Sequence, residues 1–84
     1  MSAIVLPFPR SRDRAFISRH ASIMTAAATT AKAEAHLRRQ LELQRQTMER
    51  RGINSATIDA ELQDIQGHVR AVVWSLLLAP GGAA

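Results

Sequence analysis

Ile58, Leu62, Ile65, Val69, Val72 and Leu76 follow one another at steps of 4, 3, 4, 3 and 4 residues. A helix, whose side chains return to the same side about every 3.6 residues, gathers such a series onto one face. The spacing predicts a helix over 55–78. Asn54 or Ser55 can cap its start, and Asp59, Glu61 and Asp64 sit towards its positive end. Pro80, Gly81 and Gly82 stop it. Upstream, Leu37, Leu41, Gln44, Met48 and Arg51 step by 4, 3, 4 and 3. This predicts a second helix over 30–51, capped by Thr29 or Thr30 and ended by Arg50, Arg51 and then Gly52.

A turn this short makes the two helices antiparallel. Centred near Ile53 and Asn54, it brings together residues whose numbers add to about 107. Met48 then meets Ile58 and Leu62, Leu41 meets Ile65 and Val69, and Leu37 meets Val69 and Val72. Ala31, Ala33 and Ala35 come level with Val72, Trp74 and Leu76, small residues opposite large ones.

Ahead of this hairpin, Phe16, Ile17, His20, Ala21 and Met24 share one helical face. They predict a short helix over 13–24 that starts at Ser11 or Asp13. Residues 25–30, rich in alanine and threonine, either break the chain or continue one helix into the next. Residues 1–12 read as an extended apolar arm with a basic end, since Ile4, Val5 and Leu6 favour extended backbone while Pro7 and Pro9 forbid a helix. The expected fold class is all-α: a short N-terminal helix and a long antiparallel helical hairpin form one domain over 13–79. The extended arm precedes it and a tail at 80–84 follows.

A chain of 84 residues has little capacity to bury a core. It contains no cysteine, so disulfides and thiolate metal sites are excluded. The hydrophobic fraction of 46% includes fifteen alanines and overstates the core. Even so, Val73, Leu77 and Leu78 widen the apolar surface of the 55–78 helix beyond one stripe, and Leu43 lies off the stripe of the other. Exposing apolar surface costs roughly 25 cal/mol per Å2. Surplus of this kind predicts assembly as a homo-oligomer, in the simplest case a dimeric helical bundle.

The residue types give chemistry little to work with. His36 and His68 fall on opposite helices about a turn apart, but no cysteine, HExxH pattern or spaced carboxylate completes a metal site. His20 belongs to the apolar face of the first helix. Gly52 is a helix stop, Gly81 and Gly82 belong to a tail, and Gly67 is isolated within a helix, where the reading favours close approach of another backbone over passive tolerance. No phosphate-cradling loop and no serine–histidine–carboxylate spacing is present. Asp59, Glu61 and Asp64 read as charges favouring a helix N-terminus. Gln44 either fixes register by demanding a buried partner or lies at a solvated edge. A non-enzymatic protein without cofactor or metal is expected.

Two surfaces remain as candidates. The first is apolar, comprising Ile4, Val5, Leu6 and Phe8 of the arm with Phe16, Val73, Leu77 and Leu78, and it suits a protein partner. The second is basic. The formal net charge is +4, and ten of the eleven basic residues are arginine. Arg10, Arg12, Arg14 and Arg19 cluster around the first helix, with Arg38 and Arg39 on the second. Clustered arginine suits phosphate contacts, which makes non-specific nucleic-acid binding the alternative. Against it, Glu34, Glu42 and Glu49 are interleaved on the second helix, and no aromatic residue separates the arginines. No stretch is apolar for long enough to span a bilayer, no secretory signal is evident, and no membrane association is expected.

The blocks IVLPFP, AEAHLRRQLELQ, RRGI and VRAVVWSLLLAP, set around an arginine-rich helix start, resemble a family of short uncharacterised proteins from alphaproteobacterial genomes and their prophages. The resemblance covers most of the chain. It implies a bacterial, cytoplasmic, accessory protein, and in a prophage setting a small regulator or an inhibitor of host defence machinery. It carries no catalytic residue or cofactor.

Overall fold

A computed structural model describes residues 9–79 and is all-helical over them. After a 3-10 turn at Arg10–Arg12 come α1 (Arg14–Ala26), α2 (Thr30–Arg50) and α3 (Ser55–Leu78). Each α-helix starts on a side chain suited to the task. Asp13 accepts from the Phe16 backbone N–H at 3.0 Å, Thr29 from Lys32 at 3.1 Å and Asn54 from Thr57 at 2.8 Å. Residues 27–29 break α1 from α2: the backbone is extended at Ala27 and Thr29, and the Thr29 cap opens the new helix. The basic end of the arm also departs from the sequence expectation, because Arg10–Arg12 winds into a turn.

Gly52 is the pivot of the hairpin. Its φ of 77° lies in the left-handed region that favours glycine. Its N–H donates to the Glu49 carbonyl at 3.0 Å, and Ile53 N–H donates to the Met48 carbonyl at 3.1 Å. This pair of bonds closes the helix end, and the buried side chains of Ile53 and Met48 complete the motif.

Two ion pairs then bridge α2 and α3. The Arg70 guanidinium grips Glu34 through Nη2 and Nη1 at 2.6 and 2.7 Å, and Arg45 reaches Asp59 at 3.1 Å. The paired numbers add to 104 at both ends (34 with 70, 45 with 59), not to the 107 expected. The difference arises because Gly52 itself turns the chain and Ile53 already folds back into the core.

The core is a three-helix arrangement in which α1, α2 and α3 all meet one another and the 3-10 turn packs against α1 and α3. All five residues of the α1 face are buried: Phe16, Ile17, His20, Ala21 and Met24. They join Leu37 and Met48 of α2, the turn residue Ile53, and Ile58, Leu62, Ile65 and Val69 of α3. Ala33, Leu41, Val72 and Val73 pack against this cluster while remaining half-buried. The α2 stripe is sparse, and α1 supplies what it lacks. Trp74 is not enclosed by the alanines of α2 but is 62% exposed. Among the described residues Gly67 has open space where a Cβ would stand, and none of their backbone approaches it closely.

Candidate interaction surface

Residues 71–79 of α3 and its end carry no charge. In this stretch Trp74, Leu77 and Leu78 are 62, 59 and 71% exposed, and Leu76 is also exposed. Val72 and Val73 turn back onto the core. Singly exposed leucines are ordinary, but several large apolar side chains within two helical turns form a patch of the kind that marks an interaction site. Of the apolar candidates read from the sequence, Leu77 and Leu78 therefore sit at the surface and Val73 is half-buried. Phe16 is not available to a partner: it is 4% exposed, its ring edge-on to His20 with centroids 4.6 Å apart. Ile4, Val5, Leu6 and Phe8 lie outside the described residues.

The arginines divide. Arg10 pairs with Asp13 at 2.7 Å and lies over the Phe16 ring, 5.1 Å from its centroid. Arg45 and Arg70 are held by α3 and α2 carboxylates. Arg12, Arg14, Arg19, Arg38 and Arg39 are exposed. Among the described residues none of these five makes an ion pair within 4.0 Å.

Two polar contacts hold the N-terminal part onto the hairpin, and neither is the one the sequence suggested. Glu61 is buried and accepts from both the backbone N–H (2.9 Å) and the hydroxyl (2.8 Å) of the buried Ser11. It does not serve the α3 N-terminus but closes the 3-10 turn. The signal for this lay in its spacing, three residues after Ile58 and four before Ile65, which sets it beside the apolar stripe.

The histidines that meet are His20 and His36, with Nδ1 of the first 2.8 Å from Nε2 of the second. His68 is exposed and takes no part. A hydrogen bond between two imidazoles needs one unprotonated nitrogen. Burial, then the neighbouring His36, Arg19 and Arg10, push the His20 pKa below its ordinary 6.5. No cluster of three metal-ligating side chains occurs among the described residues.

A groove of about 550 Å3 lies between α2 and α3, with no α1 residue in its lining. Leu37, Leu41 and Leu62 form its floor. Arg38, Glu42, Gln63 and Gln66 line its walls, and the two interhelical ion pairs stand at its ends. No helix among the described residues is long and apolar enough to cross a membrane.

No curated protein sequence and no solved structure matches the chain. One family profile, described as a family of unknown function, matches all of residues 1–84. The chain belongs to that family, DUF6074.

Proposed function

We propose that this protein is a small helical protein–protein interaction module that binds a protein partner through the apolar end of α3. The observation that carries the reading is the exposure of Trp74, Leu77 and Leu78 on a charge-free helix end. Such surface gains most when covered by another apolar surface, and a lone tryptophan flanked by leucines has the makeup of an interface anchor. Catalysis is not part of the reading. The narrower form, a prophage-associated cytoplasmic regulator or inhibitor of a host defence complex, rests on the family resemblance alone.

The test is affinity capture from bacterial lysate in the presence of nuclease. The wild-type chain is expected to retain a defined protein, and a Trp74→Ser, Leu77→Ser, Leu78→Ser variant of unchanged helicity is expected to lose it. Equal retention by both chains would sink the reading.

A second reading, non-specific nucleic-acid binding, draws on Arg12, Arg14, Arg19, Arg38 and Arg39, which are exposed and free of ion pairs among the described residues. It requires affinity that falls steeply with salt, with a slope lowered by about one for each phosphate-contacting arginine removed. Absence of binding at low salt eliminates it.

A further inference from the structure

We propose that the α2/α3 groove is the contact face of a homodimer, in which a second copy lies across it with α2 antiparallel to α2 and α3 antiparallel to α3. This concerns a different surface from the α3 end and does not depend on that surface binding a partner. Helix α1 covers one side of the hairpin, while the groove on the other side is floored by the half-buried Leu41 between the buried Leu37 and Leu62. That is the place of the missing layer in a four-helix bundle.

The rim identifies the occupant. Along α2 the groove residues alternate in sign: Glu34, Arg38, Glu42, Arg45. A two-fold axis crossing the helices near position 40 sets Arg38 against Glu42 of the partner subunit, and Glu34 against Arg45 of the partner subunit. Along α3 the groove residues run Asp59, Gln63, Gln66, Arg70. An axis between 64 and 65 sets Asp59 against Arg70 of the partner subunit, and Gln63 against Gln66 of the partner subunit.

Position 40 of α2 and positions 64 to 65 of α3 are level in the hairpin, because the outer residues Glu34, Arg45, Asp59 and Arg70 are joined across it by its own ion pairs. One axis therefore satisfies both helices, as an isologous interface requires. At each end of the groove the Arg70 and Glu34 pair of one copy then meets the Arg45 and Asp59 pair of the other, a balanced quartet of charges. In the centre, Arg38 has no ion pair among the described residues, and Glu42 takes only a 3.3 Å hydrogen bond from Gln46. The partner copy supplies the missing contacts.

Sedimentation of the full chain at tens of micromolar tests the proposal, with charge swaps to read the register. Arg38→Glu places two glutamates opposite each other at each crossing, and Glu42→Arg places two arginines there. Each variant alone is expected to dimerise at least on the order of ten-fold more weakly than the wild type. An equimolar mixture of the two restores opposite charges at both crossings and should recover a dimer as a heterodimer. The Arg38→Glu, Glu42→Arg double variant should dimerise with itself. Circular dichroism on each chain separates loss of association from loss of fold. A monomeric wild type overturns the proposal, as does a mixture no tighter than its components. So does association that ignores the swaps but is abolished by serine at Trp74, Leu77 and Leu78, since the copies would then meet through the α3 end.

Discussion

Glu61 holds Ser11 by both carboxylate oxygens, at 2.9 Å to the backbone N–H and 2.8 Å to the hydroxyl, across fifty residues of sequence and inside the molecule. This contact ties the turn that precedes α1 to α3. A carboxylate removed from water is costly unless hydrogen-bonded, and here the donors come from the segment it anchors.

Removing that carboxylate leaves the buried Ser11 N–H and hydroxyl without their acceptor. Glu61→Ala is expected to destabilise the fold by about 2–3 kcal/mol, and Ser11→Ala, which keeps the backbone bond, by about 1 kcal/mol. Denaturant unfolding measures both. An alanine at position 61 with wild-type stability would show that the turn does not depend on the contact.

Stability should fall in mildly acidic solution because of His20. Its folded-state pKa is lowered, chiefly by burial, so below the ordinary value of 6.5 the unfolded chain takes up a proton that the folded chain resists. The contribution is fully present above about 6.5 and is lost as the pH falls from there through the lowered folded value. Denaturation midpoints measured from pH 7.5 to 5 should decline, and the decline should flatten in His20→Phe. An unchanged slope in that variant would assign the effect elsewhere.

The two helix-associated glycines should respond oppositely to alanine. At Gly52 nothing crowds a Cβ, but the φ of 77° is strained for alanine, so Gly52→Ala is expected to cost about 1 kcal/mol or more. At Gly67 the space is open among the described residues and the backbone is helical, so Gly67→Ala should stabilise by about 0.5–1 kcal/mol. Thermal midpoints of the two variants, displaced to opposite sides of the wild type, check the pair.

Trp74 should behave as a surface residue. Being 62% exposed, it is expected to be quenched readily by acrylamide, and Trp74→Ser should change the unfolding free energy by no more than about 0.5 kcal/mol. A blue-shifted, protected tryptophan would mean that this end of α3 is covered in solution.

The helices themselves were legible because their determinants are local. The 4-3-4-3-4 spacing of α3, the five-residue apolar face of α1, the caps at Asp13, Thr29 and Asn54, and the stop at Gly52 all act within a few turns of chain. Even so, the break at 27–29 stayed ambiguous. Alanine permits both outcomes, and whether α1 and α2 separate depends on where each buries its face.

What only the tertiary structure decided is which face meets which. A helical stripe specifies a side to be buried but not its partner, and the hairpin register depended on how Gly52 and Ile53 divide the turn between them. Placing α1 against α3 buried Phe16 and His20, brought His20 to His36 rather than leaving His36 to meet His68, and turned Glu61 from a helix-end charge into the acceptor for Ser11. The same packing left Trp74 outside. Periodicity determined the elements in this protein, while the competition among three helices for one small core determined which polar groups were enclosed and which apolar ones were left to face outwards.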